Sequence, residues 1–120
     1  MPKSLISIGT MTGTSADGID AAIIKTDGVN LISPLYWENI SYSDKEKKIL
    51  LEYPPKNLIK LNKIINNKHL LVIKNIIKKS SFSARDISII GLHGQTLAHS
   101  PKNGWSWQLI DGSLISKNLG

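Results

Sequence analysis

Twelve residues, GTMTGTSADGID at positions 9–20, constrain this chain more than any other stretch. They hold three glycines (Gly9, Gly13, Gly18) and five hydroxyl or carboxylate side chains from Thr12 to Asp20, with almost no bulk. The apolar run Leu5-Ile6-Ser7-Ile8 leads into them, and a second apolar run, residues 19–24, leads out. A Gly/Ser/Thr turn between two buried strands gathers several backbone N–H groups at one point. Such a concave donor set suits anionic oxygens, phosphate above all. Glycine lets the backbone approach a ligand closely and take positive φ where a turn needs it. Thr14 and Ser15 add hydroxyl donors, and Asp17 and Asp20 are carboxylates of the kind that hold Mg²⁺, directly or through its waters. The plainer reading is a hairpin turn rich in small polar residues. Neither a Walker loop nor a GxGxxG dinucleotide fingerprint fits: no Lys-Ser/Thr pair and no helical pattern follow the glycines.

Composition narrows the class. At 120 residues, 41% of them hydrophobic, the chain reads as one globular domain at most. No apolar run approaches the roughly 18 residues of a membrane span. A secretory signal is not expected, because Lys3 is followed by only a short apolar stretch. The absence of cysteine removes disulfides and thiol metal sites and is compatible with the cytoplasm. A net charge of +6 suggests nucleic acid, but its distribution argues otherwise. Ten of the fifteen basic residues lie between Lys45 and Lys79, spaced along helical segments, with Arg85 the single arginine and no interleaved aromatics. Solvated helix faces account for that more simply than a nucleic-acid surface.

Along the chain, residues 5–10 and 19–26 read as strands, and Asp27-Gly28 is a hairpin signal. A third strand is expected over residues 31–41, with Pro34 marking an edge or a bulge. Three strands joined by tight turns make an antiparallel meander. The pattern then turns helical. Ser43 with Glu46 is a capping box opening a short helix that Pro54-Pro55 stops. Asn57 caps a longer helix whose stripe is Leu58, Leu61, Ile65, Val72 and Ile76, with a bend or split expected at Asn66-Asn67. His69 on that helix is assigned no chemistry, and Ser80, Ser81 and Ser83 end the helical region. Residues 86–91 return to strand.

A second informative stretch follows: Gly91-Leu92-His93-Gly94-Gln95-Thr96. Here a strand ends in a turn that carries an imidazole, a carboxamide and a hydroxyl, the place where open α/β sheets collect ligands. His93 is able to orient a substrate hydroxyl or act as acid or base, against a purely structural histidine. Gln95 offers donor and acceptor together, which suits a sugar or amide. His99 lies too far along, and without a third plausible ligand, to build a zinc site with it. Residues 105–110 read as a short strand with Trp107 and Leu109 on one face, and Asp111-Gly112-Ser113 caps a terminal helix.

Together these stretches resemble the N-terminal part of the anhydro-N-acetylmuramic acid kinases, bacterial sugar kinases of the actin/hexokinase/Hsp70-like ATPase superfamily. The resemblance rests on Gly9-Thr10-Met11-Thr12-Gly13-Thr14-Ser15-Ala16-Asp17-Gly18-Ile19-Asp20, on Ile90-Gly91-Leu92-His93-Gly94-Gln95-Thr96 with His99 and Pro101, and on Gln108-Leu109-Ile110-Asp111-Gly112-Ser113-Leu114-Ile115 ahead of Leu119-Gly120. It runs through essentially the whole chain. The family usually has Ser where this chain has Thr12, and often Gly where it has Ile110. The resemblance implies an α/β fold, the RNase H-like lobe of that superfamily: a three-stranded antiparallel meander followed by helices and a returning strand. It further implies a cytoplasmic enzyme of peptidoglycan recycling, using ATP and Mg²⁺ to open the 1,6-anhydro ring of anhydro-N-acetylmuramic acid and phosphorylate O6, giving N-acetylmuramic acid 6-phosphate. By position, Gly13, Thr14, Ser15, Ala16, Asp17, Gly18, Ile19 and Asp20 correspond to the ATP-binding segment, with Asp17 the candidate Mg²⁺ ligand. His93, Gln95 and Thr96 fall on the substrate side. The family's catalytic base is an aspartate in a later Gly-Asp-Thr-Gly-Pro-Gly-like motif, which residues 1–120 do not contain.

Two readings follow. In the first, residues 1–120 are the first, incomplete lobe of a sugar kinase whose second lobe is absent, inactive as an isolated piece. In the second, the chain is a non-catalytic relict or binding module that keeps the phosphate or sugar turn. A strand edge left bare then favours a homodimer or another partner. No nucleic acid and no membrane are expected as partners.

Overall fold

The computed structural model describes residues 4–120, so Lys3 lies outside the described residues. Two sheets and three helices make up the fold. Strand β1 (Leu5–Thr12) pairs antiparallel with β2 (Gly18–Thr26), which pairs antiparallel with β3 (Ile32–Ser41). This is the expected meander. β-Branched and small side chains alternate along β1 and β2, so that Ile8, Ile19, Ala21 and Ile23 point to one face and are buried there. At the turn into β3, Asp27 Oδ1 accepts from the N–H groups of Val29, Asn30 and Leu31, with Gly28 at φ 76°. Pro34 sits on the edge strand where the register slips between Ile23 and Ile24, which is where a residue lacking an N–H is tolerated.

The helical region opens at the Ser43–Glu46 capping box: Ser43 Oγ accepts from Glu46 N at 3.1 Å, and Glu46 Oε1 accepts from Ser43 N at 2.9 Å. Helix α1 (Asp44–Leu50) is short and ends before Pro54-Pro55. Helix α2 (Leu58–Lys79), capped by Asn57, buries Leu61, Ile65, Asn66, His69, Val72, Ile73 and Ile76 and lies across β2 and β3. Leu58, at its first turn, stays exposed. The helix is not split at Asn66-Asn67: it runs unbroken from Leu58 to Lys79. Asn66 Nδ2 donates to Asn62 O and Oδ1 within the helix, while its Oδ1 accepts from Asp111 N at 2.8 Å, so the amide is satisfied without breaking the helix.

Asp86, read as the start of a strand, instead closes a 3₁₀ turn (Ala84–Asp86), with Ser83 N donating to Asp86 Oδ2. Strand β4 (Ile89–Leu92) then joins β1 in parallel, completing a sheet of order β3-β2-β1-β4. Gln95 and Thr96, placed in a turn by the sequence, begin a strand, β5 (Gln95–Ser100), which pairs antiparallel with β6 (Trp105–Leu109) in a separate hairpin. Trp105 and Trp107 of β6 are exposed, while Leu109 at its base is half-buried. Helix α3 (Gly112–Leu119), capped by Asp111 Oδ1 accepting from Leu114 N, packs on α2 through Ile115. α2 covers one sheet face only. Among the described residues no helix is long and apolar enough to cross a membrane.

Candidate functional site

The turn between β1 and β2, residues 13–17, and the turn after β4 meet at one edge of the sheet. Parallel pairing of β1 with β4 places Thr10 opposite Leu92, so the two chains leave the sheet side by side. Two hydrogen bonds then join segments 82 positions apart: Thr12 Oγ1 donates to Gly94 O at 2.7 Å, and Gln95 Nε2 donates to Gly13 O at 3.1 Å. Both sequence motifs therefore form a single locus. Gly94 takes φ 78°, and a Cβ there would lie 3.1 Å from Ile110 and Leu109 O, so this tight turn needs glycine.

Within the loop, Gly13, Thr14 and Ser15 are exposed, and among the described residues none of their backbone N–H groups donates to a protein acceptor. The donor set expected of the sequence is present. Its backbone differs from expectation, however. None of Gly9, Gly13 and Gly18 has positive φ; the left-handed residue is Ala16, at φ 55° and fully buried. Ala16 N donates to Gly13 O at 3.3 Å, closing the turn. A non-glycine residue held in the left-handed region stores strain of the sort found at ligand-binding turns. Gly18 is glycine for a packing reason: a Cβ there would lie 2.3 Å from the carbonyl oxygen of Ile40 on β3.

Residues 13–20, which the resemblance assigns to nucleotide binding, divide by what they can offer. Ile19 and Ala16 point into the core and contribute backbone alone. Asp20 belongs to the sheet face turned away from α2, where its Oδ1 accepts from Asn39 Nδ2 at 2.8 Å. Asp17 stays in the loop, with both carboxylate oxygens engaged: Oδ1 by the Lys47 ammonium and Oδ2 by Ser15 Oγ at 2.8 Å. Those donors, Lys47 first and then Ser15, hold its pKa below the ordinary carboxylate value. Among the described residues no group of three or more His, Cys, Asp or Glu side chains is arranged to hold a metal. A Mg²⁺ ion here would draw on Asp17, waters and ligand oxygens rather than a protein cage, a mode that suits this ion.

In the second motif, Gln95 is buried and its amide is half spent. Nε2 serves Gly13 O, while Oε1 has no partner among the described residues. A buried acceptor without a partner is costly and fits a donor brought by water or ligand. His93 is exposed, its Nδ1 3.0 Å from Gly94 O. Thr96 lies on β5 opposite Gln108 and makes no bond to the loop among the described residues. His69 is core: its Nδ1 sits 2.7 Å from Ile65 O, and its Nε2 has no partner among the described residues.

Lys47 is the site residue the sequence did not point to. It lies on α1, thirty positions after Asp17, and only the meander brings it back. Tyr42 N donates to Asp17 O at 3.1 Å, fixing the start of α1 beside the loop. A capping box announced the helix, but nothing in its own pattern announced what its lysines face.

The family model for anhydro-N-acetylmuramic acid kinase matches residues 5–120. Among curated proteins, the anhydro-N-acetylmuramic acid kinase of Zymomonas mobilis subsp. mobilis is 34% identical, the match covering 94% of this chain and 35% of that protein. The enzyme of the same name from Rhizorhabdus wittichii is 32% identical over 97% of this chain and 35% of its own length. That from Pelagibacter ubique is 33% identical over 99% and 34%. The chain spans about a third of the length of these relatives.

Proposed function

Because the chain belongs to the anhydro-N-acetylmuramic acid kinase family, we propose that it carries the phosphate-holding turn of a kinase that opens the 1,6-anhydro ring of anhydro-N-acetylmuramic acid and phosphorylates O6 with ATP and Mg²⁺. The observation that carries this reading is the exposed, unspent N–H set of residues 13–15, braced by Gln95 against the second motif. Phosphoryl transfer is catalysed by positioning and by neutralising charge on the phosphate oxygens. Backbone N–H groups of Gly13, Thr14 and Ser15 donate to those oxygens, with the hydroxyls of Thr14 and Ser15 beside them. Mg²⁺, when bound, neutralises phosphate charge; Asp17 is the carboxylate in reach of it. Gln95 Oε1 accepts from a sugar hydroxyl, and His93 and Thr96 line the same side. The carboxylates nearest the loop are not free to serve as base for the water that opens the ring. Asp17 is held by Lys47 and Ser15, Asp20 by Asn39, and Asp111 caps α3. The cytoplasm, where ATP is available, is the compartment this reading requires.

That same engagement of the carboxylates favours a second reading, a module that binds phosphate or sugar and turns over nothing. A chimera separates the two: these 120 residues replacing the matched third of the Zymomonas mobilis relative, assayed for ATP-dependent phosphorylation of anhydro-N-acetylmuramic acid. Activity in the chimera, and not in the 120-residue chain alone, is expected of the kinase reading. A folded chimera that phosphorylates nothing would favour the module.

A further inference from the structure

Among the described residues Lys47 is the one cation paired with the glycine loop, and its delivery is over-determined. The Ser43–Glu46 capping box sets the start of α1. Lys47 N donates to Ser43 O at 2.8 Å and Lys47 O accepts from Leu51 N at 3.0 Å, so its backbone is locked within the helix. The backbone bond from Tyr42 N to Asp17 O ties that helix start to the last residue of the loop. Its neighbour Glu46 is spoken for, serving Ser43 N and the Lys68 ammonium, 3.3 Å away. Among the described residues Lys47 alone pairs with a loop side chain, its own side chain 37% exposed against 71% for Asp17. An ion pair this open to water contributes little to stability. Its place beside three unspent N–H donors gives it another use.

We propose that Lys47 is a positioning residue for phosphate: its ammonium rests on Asp17 while the loop is empty and passes to a phosphate oxygen when an anion enters against residues 13–15. This rests on the phosphate-holding reading of the loop. Three rotatable donors on a flexible stem let a lysine make that exchange without moving the backbone. A phosphate oxygen of higher charge outcompetes the carboxylate for the ammonium, and each Asp17 oxygen released becomes available to Mg²⁺. The pair therefore acts as a latch that an anion opens, coupling phosphate entry to exposure of the candidate metal ligand.

The test is a titration of the 120-residue chain with inorganic pyrophosphate, without metal and at low ionic strength, followed by the amide resonances of Gly13, Thr14 and Ser15. Lys47→Ala is expected to weaken binding roughly tenfold, the scale of one charge-assisted contact, with Lys47→Arg restoring most of it. Asp17→Asn is expected to tighten binding, and that gain is expected to vanish in the Lys47→Ala background, since there is then no ammonium to release. Thermal midpoints of the variants report any purely structural role, which would move stability and leave the affinities alone. Pyrophosphate bound equally well by the unaltered chain and Lys47→Ala overturns the role of Lys47 and leaves the loop reading standing. A gain from Asp17→Asn that survives without Lys47 overturns the exchange. Silence of residues 13–15 in the unaltered chain overturns both the loop reading and the latch.

Discussion

Gly13 and Gly18 flank one turn, yet they are glycine for different reasons, and substitution separates them. A methyl group on Gly18 meets the Ile40 carbonyl oxygen at 2.3 Å, so β2 and β3 must part for it. Gly18→Ala is expected to lower the urea unfolding free energy by about 1–3 kcal/mol, as overpacking does. At Gly13 the nearest atom is Ser15 Oγ at 3.7 Å and φ is not positive. Gly13→Ala should leave stability within about 0.5 kcal/mol while weakening pyrophosphate binding, because the methyl stands where a ligand would. Equal losses of stability at both positions would contradict this division. His69 supplies a pH dependence. Burial disfavours its charged form and holds its pKa below the ordinary histidine value; the bond to Ile65 O opposes that and His93 adds to it. The native state keeps the ring neutral where the unfolded chain, below about pH 6.5, already binds a proton. Stability therefore falls as pH drops from about 6.5 toward the lower folded-state pKa, at up to about 1.4 kcal/mol per unit. In His69→Leu that slope should disappear from a series of urea midpoints. At this scale the sequence placed a loop between the first two strands and misjudged its backbone: a glycine-rich stretch advertises left-handed freedom, but Ala16 takes the left-handed φ, and Gly18 answers to a neighbouring strand absent from its local sequence.

Elements were legible wherever the signal was local. The Ser43–Glu46 box, the Asn57 and Asp111 caps and the Asp27-Gly28 turn each satisfy nearby backbone groups, Pro34 takes an edge strand because it has no N–H to donate, and each lies where the residues placed it. What escaped was set at a distance. Asn66 looks like a helix breaker until α3 supplies Asp111 N as its partner. Gln95 and Thr96 read as turn residues because their partners on β6 come only after Gly104, whose φ of 75° ends the intervening 3₁₀ turn. The Ser43 cap also has a functional side, since it orients the helix that carries Lys47. Ser43→Ala is expected to cost about 1 kcal/mol by calorimetry or denaturant titration, the usual value of such a cap. Because α1 then frays at its start, the same substitution should weaken pyrophosphate binding along with it, though less than Lys47→Ala does. A stability loss with affinity untouched would mean that Lys47 needs no fixed helix to reach the loop.

For the molecule as a whole, the decisive feature is asymmetry. One face of the four-stranded sheet packs under α2; the other presents Leu5, Met11, Trp37 and Ile89 to solvent, with a depression of about 370 Å³ between Met11, Ala22, Ile24 and Trp37. The β5–β6 hairpin is similarly bare: Trp105 and Trp107 are 48% and 41% exposed, and Trp37 is 69% exposed. An apolar area of this kind on a monomer marks a surface that proteins ordinarily cover, and the relatives are about three times as long as the part this chain matches. The arrangement has a spectroscopic consequence because it involves every tryptophan in the chain. With Trp37 largely in water and Trp105 and Trp107 about half exposed, native emission at high dilution should lie toward that of the urea-unfolded chain, leaving tryptophan fluorescence less sensitive to an unfolding transition that circular dichroism still follows. Raising the protein concentration provides the control. If the sheet face or the hairpin is covered by a second copy, emission shifts to shorter wavelength as sedimentation detects the larger species, and Trp37→Lys removes the part of the shift owed to the sheet face. A strongly blue-shifted emission from a monomer at high dilution would mean that the indoles are buried within the chain itself, contradicting the open face.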